Sequence, residues 1–251
     1  MVIETGKEKE EIIDESIGQG TVQKVNECKY LGFWVNTKGN CRTQIINKGK
    51  KIKGQLAAIK SMANPYNLGS MYIDVRLYLY EACIVPAMLY HLEAWSKVSI
   101  AELKMIESQQ GKALCTLLEI PKTTPHLGIL HEVGMWDVEC RIAYRKIMFF
   151  HNIITSEEQR LVKRLIIKQK NDQEEGTFYM ETKRIAESLN IEIDEVEKME
   201  KSQVKKNVKE KVKKKMEEKI DKAAPNMTKL RFIRTPVKLE RHKYMEELGG
   251  R

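Results

Sequence analysis

Lysine and arginine side chains form two dense groups in this chain, and they are the residues with the clearest chemistry. Residues 198 to 222 alone hold eleven lysines and five acids. Lysines along a phosphate backbone displace its counterions, so they bind nucleic acid without reading its sequence. The formal charge of +9 would attract the chain to such a polyanion, and equally to an anionic membrane surface. The basic candidates are Arg42, Lys48, Lys50, Lys51 and Lys53 in the first group and Lys211, Lys213, Lys214 and Lys215 in the second.

Residue types that catalyse reactions or hold metals are not grouped in the sequence. The aspartates stand at positions 14, 74, 137, 172, 194 and 221, and no two are adjacent. His126 and His131 are five residues apart and do not share a helix face, and no Cys-x-x-Cys pair indicates a zinc site. We therefore expect no catalytic residue, metal site or cofactor here. Scattered cysteines without a signal-peptide pattern predict reduced thiols in an intracellular protein of the nucleus or cytoplasm.

The elements that would position the first basic group begin with strands. Met1 to Glu4 is short and apolar, and Thr21 to Val25 alternates with a period of two. Tyr30 to Val35 is rich in aromatic and β-branched residues and is followed by a turn-forming segment, Asn36 to Asn40. Residues 1 to 40 therefore predict a small antiparallel β element. Its unpaired strand edge would allow self-association.

Helical periodicity starts at Cys41 and continues to about residue 155. In the first helix Ile45, Ile52, Leu56 and Ile59 share one face. Asp74 can cap a second helix whose predicted face includes Val75, Leu79, Ala82 and Cys83, with a kink at Pro86. Ser99 caps a third, and Val138 to Ile154 is a long helix. The predicted fold is mainly α, with a helical bundle in residues 41 to 155.

Residues 156 to 251 predict a basic helical extension, with partial disorder as an open alternative. Its apolar residues recur at every fourth position from Val204 to Ile220. Three interpretations are open: an RNA-binding basic arm, an amphipathic coiled-coil-like helix, or a mostly solvated tail. A solvated helix face is likewise the simpler interpretation of the lysines after Arg42.

An ordered series of short motifs resembles the reverse transcriptase of non-long-terminal-repeat (LINE-like) retrotransposons. Lys29-Tyr30-Leu31-Gly32-Phe33, followed by Gly39 and a basic helix, is similar to that family's hairpin between palm and thumb. Pro86-Ala-Met-Leu-Tyr90 with Glu93 and Trp95 is similar to its P-x-x-L-Y-G-x-E-x-W helix, and here His91 replaces the usual glycine. The series continues through Glu107 to Gln110, Glu132 to Gly134 and Arg145 to His151, so the resemblance covers roughly residues 1 to 155.

The resemblance implies a parent protein that is an RNA-directed DNA polymerase using magnesium. That family holds two metal ions partly on adjacent aspartates, which lie upstream of the segment matched here. The chain would then be a non-catalytic fragment that comprises the end of the palm (1–40), the thumb (41–155) and a basic extension (156–251). Its expected partners are an RNA template and a DNA primer. In the hairpin, Tyr30 and Gly32 would let the backbone approach the primer end, while Lys29 and Lys38 would neutralise phosphates.

An interaction protein from a different functional class remains the alternative. In that interpretation residues 193–222 pair with a partner helix, and the charge only maintains solubility. A membrane-spanning protein is not expected, because no window of the sequence holds 18 consecutive apolar residues.

Overall fold

Helices make up most of the described chain, as predicted, and two short antiparallel strand pairs precede them. The computed structural model describes residues 15–17, 20–22, 25–37, 39, 41–63, 73–95, 98–226 and 237–240. The strands are β1 (Glu15–Ile17), β2 (Gly20–Val22), β3 (Glu27–Tyr30) and β4 (Phe33–Asn36); β1 pairs with β2, and β3 with β4. The helices are α1 (Arg42–Ala63), α2 (Ile73–Leu79), α3 (Val85–Leu89), α4 (Ile100–Leu118), α5 (His126–Val133), α6 (Val138–Ile154), α7 (Leu161–Asp172), α8 (Phe178–Ser188), α9 (Ile193–Lys198) and α10 (Lys201–Ala223). A π-helical turn occupies Tyr80–Ile84, and 3₁₀ turns occupy Leu92–Ala94 and Ala224–Asn226.

Some N-terminal predictions concern residues outside these ranges. The strand predicted at Met1 to Glu4 and the phosphate contact predicted for Lys38 both lie outside the described residues. Of the predicted strand Thr21 to Val25, Thr21 and Val22 belong to β2, whereas Val25 is not in a strand. Self-association through a strand edge stays a prediction.

The segment predicted as one strand from Tyr30 to Val35 contains the turn of a hairpin. Tyr30 pairs with Phe33, and the two residues between them, Leu31 and Gly32, have φ values of 46° and 80°. Two successive positive φ angles define the tight turn that matches the twist of paired strands. The usual sequence signal for this turn is Asn-Gly or Asp-Gly, so the prediction of an unbroken strand across Leu-Gly was wrong. The turn leaves Tyr30 and Leu31 64 % and 73 % exposed.

Helix α1 buries its predicted face and is fixed to α4 at two points. Ile45, Ile52, Leu56 and Ile59 are all buried. The Cys41 backbone N–H, just before α1, donates to Glu102 Oε1 (2.8 Å). Further along, Gly49 lies so close to α4 that a Cβ atom would come within 2.6 Å of Gln109 Nε2. That amide donates to the Ile45 carbonyl (3.0 Å), so the absence of a side chain at Gly49 permits the contact between the two helices.

Glu102 joins the N-termini of both helices. It completes a capping box with Ser99, which confirms the predicted cap of α4, and it also accepts from the Cys41 backbone. Burial alone would raise the pKa of Glu102, but the hydrogen bonds from Ser99 and Cys41 outweigh it and lower that pKa. The residue that precedes α1 is thereby positioned by a side chain sixty-one residues away in sequence.

The second predicted helix is divided by a π-helical turn. Its predicted face also included Leu89, which is buried, but the other residues of that face are not. Val75, Ala82 and Cys83 are exposed, whereas the buried residues are Leu77, Tyr80, Ile84, Val85, Met88 and Leu89. The π-helical turn ends two residues before Pro86, whose ring and missing N–H disrupt regular helical hydrogen bonding. The buried residues Leu77, Tyr80, Ile84 and Met88 recur every three or four residues, so the helical period was present and was assigned to the wrong face.

Helix α10 packs along α6, and one core extends across the boundary predicted at residue 155. The predicted helix Val138 to Ile154 is confirmed as α6. The apolar residues of α10 are at most 1 % exposed and belong to the same core as those of α1, α4 and α6; they are Val204, Val208, Val212, Met216 and Ile220. The apolar stripe predicted to pair with a partner helix is therefore occupied within the chain, and that prediction is corrected.

Candidate nucleic-acid interface

A cleft of about 480 Å³ opens where the β3–β4 hairpin meets α1 and the end of α3. We call it the lysine cleft. The hairpin contributes Lys29, Gly32 and Trp34, and α1 contributes a row at positions i, i+3, i+4 and i+7. The complete lining is Lys29, Gly32, Trp34, Gln44, Asn47, Lys48, Lys51, Pro86, Ala87 and Tyr90. No acidic residue of the described chain is part of this lining.

Three positive charges therefore face one another in the lysine cleft. Burial lowers the pKa of Lys48, and the charges of Lys51 and Lys29 lower it further. Lys48 Nζ lies 4.2 Å from the centre of the Tyr90 ring, close enough for a cation–π interaction. An anion in the cleft would remove the repulsion among the three ammonium groups, because its charge is opposite to all of them.

Tyr90 fastens the hairpin to the end of α3. Its hydroxyl donates to the Leu31 carbonyl (3.1 Å), and its ring lies 3.8 Å from the position that a Cβ atom of Gly32 would take. The next residue, His91, has a φ of 65° and stacks on Tyr90 with ring centroids 4.0 Å apart. The chain turns at this position through a left-handed backbone conformation. Glycine adopts that conformation without a steric penalty, which is a physical reason for glycine at the equivalent position of the motif that this segment resembles. Phe33 packs against both His91 and Trp95, with ring centroids 5.5 and 5.3 Å away.

Gln44 holds the other side of the hairpin and has one amide donor without a partner in the described chain. Its Oε1 accepts from the Trp34 backbone N–H (3.2 Å). Its Nε2 is buried and has no hydrogen-bond partner within the described chain. A buried amide donor without a partner is unfavourable, and the Gln44 side chain lines the cleft beside the three lysines.

The cleft contains four of the residues predicted from sequence to bind nucleic acid: Lys29, Gly32, Lys48 and Lys51. Tyr30 is exposed at the hairpin tip beside it. Arg42, Lys50 and Lys53 are exposed on α1 but do not line the cleft. The separation of Lys48 and Lys51 from Lys50 and Lys53 follows from helical geometry, since residues three or four apart share a face.

The lysines predicted on α10 have different surroundings. Lys213 Nζ lies 3.6 Å from Glu240 Oε1 and 4.0 Å from Glu217 Oε1. Lys215 Nζ lies 3.2 Å from Glu139 Oε1 and 3.2 Å from Ser188 Oγ. Lys211 and Lys214 form no ion pair within the described part of the chain, but the structure does not bring them to the lysine cleft.

Sequence reasoning missed Gln44, Asn47 and Tyr90 as binding residues. A signal for the first two was present, because residues 44, 47, 48 and 51 follow one helix face. Tyr90 belongs to a motif that supports the family resemblance, yet nothing in the sequence places it against Lys48. That contact depends on the hairpin, α1 and α3 meeting in space.

Within the described ranges, no three His, Cys, Asp or Glu side chains form a group that could hold a metal ion. A search of the same residues for a long, sufficiently apolar helix yields no membrane-spanning candidate.

Comparison of the chain with protein-family models, with curated proteins and with solved structures finds no match.

Proposed function

We propose that the chain binds an RNA template–DNA primer duplex through the lysine cleft, as a non-catalytic portion of a retrotransposon-derived RNA-directed DNA polymerase. The observation that carries the proposal is the convergence of Lys29, Lys48 and Lys51, from two separate elements, on one cleft whose described lining contains no acid. The motif resemblance supports the assignment to this kind of polymerase, and the cleft supports the proposed place of contact.

The chemistry of the cleft suits a phosphate backbone. Three ammonium groups offer many donors and no acceptor, and their mutual repulsion is relieved by negative charge. The exposed hairpin tip, Tyr30 and Leu31, lies next to them and offers apolar surface for a sugar or a terminal base pair. Contacts of this kind position a duplex without distinguishing its bases.

Salt dependence of binding tests the proposal directly. We expect the full chain to bind an RNA–DNA hybrid with an affinity that falls as salt rises. The triple variant K29A/K48A/K51A should flatten the slope of log affinity against log salt by roughly two to three, at about 0.9 for each lost phosphate contact.

The variant K50A/K53A/K60A is the matched control, because it removes the same charge from exposed positions on α1 outside the cleft. Its slope should change by less than about one. Equal slopes for the two triple variants, with both folded by circular dichroism, would contradict binding at the cleft.

Polymerase activity is not expected of the chain alone. With magnesium and a primed RNA template, nucleotide incorporation should not exceed that of a boiled sample, because the sequence contains no adjacent aspartates to hold two metal ions. Incorporation that copurifies with the protein would overturn the non-catalytic part of the proposal.

A further inference from the structure

A second cavity, of about 300 Å³, lies between α6, the N-terminal part of α10 and the 3₁₀ turn Leu92–Ala94. We call it the Arg145 cavity. It shares no lining residue with the lysine cleft. Its walls combine one acid, one amide and three cations with aromatic surface. In the lysine cleft, by contrast, the charged residues of the described lining are all lysines.

Two buried charged atoms of opposite sign belong to residues that line the Arg145 cavity. Glu93 Oε2 and Arg145 Nη1 are each shielded from solvent, and neither has a hydrogen-bond partner in the described chain. Charged groups are rarely buried without partners, because desolvation costs several kcal/mol (order of magnitude) for each. The rest of each side chain is partly exposed and lines the cavity, where a ligand that carried both hydrogen-bond donors and negative charge would complement the two.

Lys201 and Lys205 add positive charge at the mouth of the cavity. They are one helical turn apart on α10, both exposed, and they form no ion pair within the described residues. With Arg145 on α6 they bring the cations that line the cavity to three. Tyr144 and Phe149 provide aromatic surface on α6, where both are partly buried.

We propose that the Arg145 cavity binds one guanine nucleotide unit, with its base near Glu93 and its phosphate near Arg145, Lys201 and Lys205. Guanine presents two adjacent N–H donors on one edge, which match the two oxygens of a carboxylate. Uracil presents a single N–H between two carbonyl oxygens, which a carboxylate repels. Tyr144 or Phe149 offers a ring against which a base can pack. The proposal does not depend on the lysine cleft.

Binding measurements on the full chain by calorimetry test the base preference without any variant. Guanosine monophosphate should bind about tenfold more tightly than uridine monophosphate, the size of effect expected from a bidentate contact to a base edge. Equal affinities for these two nucleotides, or for guanosine monophosphate and inorganic phosphate, would overturn the proposal.

The source of the nucleotide is distinguished with short oligouridine RNAs that contain one central guanosine or none. If the RNA that contains the guanosine binds more tightly than both the RNA without it and free guanosine monophosphate, the ligand is a strand. If free guanosine monophosphate binds at least as tightly as the RNA, the ligand is the free nucleotide. A guanosine that changes nothing in either form contradicts the site.

Two variants assign the roles. E93Q should abolish the guanine preference while retaining the affinity for uridine monophosphate. K201A/K205A should weaken both nucleotides about equally, whereas K206A/K209A, which removes two exposed α10 lysines outside the cavity, should not. A guanine preference that persists in folded E93Q would contradict the role of the carboxylate.

Discussion

Helices α1 and α10 are both rich in lysine, yet the structure gives opposite surroundings to one group of lysines on each helix. On α1, Lys48 and Lys51 face Lys29 across a cleft whose described lining contains no acid. On α10, Lys219 approaches Asp137, Glu139 and Glu107, and Lys215 approaches Glu139. Lysine density alone therefore does not identify a binding surface. The position of the acids decides whether a lysine stabilises the fold or remains available to a ligand.

The pKa directions express the same contrast. Burial would lower the pKa of Lys219, but the charge and hydrogen bond of Asp137 outweigh it and raise that pKa above its ordinary value. For Lys48, burial and two neighbouring lysines all lower the pKa. Folding thus favours the charge on Lys219 and disfavours the charge on Lys48.

The largest expected effect comes from breaking the α10 network at Asp137. This side chain is 1 % exposed, caps α6 through the Cys140 backbone N–H and accepts from Lys219 Nζ. We expect D137A to lower the free energy of unfolding by about 3 kcal/mol, because it removes a helix cap and leaves Lys219 with weaker partners. Urea unfolding measures the change. D172A, at an exposed position in the last residue of α7, is the control and should lie within about 0.5 kcal/mol of the parent.

The lysines of the cleft and those of α10 should contribute unequally to the affinity for an RNA–DNA hybrid. At about 0.1 M salt, K29A/K48A/K51A should weaken binding to an RNA–DNA hybrid by roughly a hundredfold. K211A/K213A/K215A removes the same charge, but two of these lysines already have acidic partners, so binding should weaken by less than about tenfold. Fluorescence anisotropy provides both values. A greater loss in the α10 variant would move the interface to the basic extension.

Acid should reduce the stability that the contact between Asp137 and Lys219 of α10 contributes. Burial would raise the pKa of Asp137, but Lys219 and the Cys140 N–H outweigh it and lower that pKa. Its contribution to stability is therefore complete above the ordinary aspartate pKa of about 4 and is lost as pH falls through the lower folded value. We expect D137N to make the free energy of unfolding less dependent on pH below about 4.

Glu107 affects the pH dependence of the free energy of unfolding in the opposite direction. Burial, with help from Asp137 and Glu139, raises its pKa despite the nearby Lys219, so its protonation is easier in the folded state. Urea unfolding at a series of pH values separates the two carboxylates, since E107Q should steepen the loss of stability in acid while D137N reduces it. Parallel pH curves for D137N and the parent would contradict the assignment to Asp137.

The smallest expected effect is a gain in stability at Lys48. K48M retains the length of the side chain and removes one of three mutually repelling charges, so the free energy of unfolding should rise by about 0.5 kcal/mol, a small value because solvent screens the cleft. The same change should weaken hybrid binding. A loss of stability in K48M would show that the Tyr90 contact outweighs the repulsion.

Local sequence was sufficient wherever neighbouring residues alone set the geometry. The buried face of α1, the Ser99 cap and the bounds of α6 were predicted correctly, because helical periodicity and capping act within one or two turns. The same reasoning failed between Ile73 and Leu89. There the apolar residues form two candidate faces that both recur every three or four residues, and periodicity alone does not tell which face meets the core.

The sequence also determined that α1 and α10 are basic, that α10 has one apolar stripe and that Lys48 and Lys51 share a face with Gln44 and Asn47. Only the tertiary structure decided what each surface meets. It packs the α10 stripe on α6, brings acids of α4 and α6 to Lys219, and brings Lys29 and Tyr90 to the lysines of α1. The physical reason is that charge–charge energies depend on distances between side chains far apart in sequence, and those distances exist only once the helices have packed.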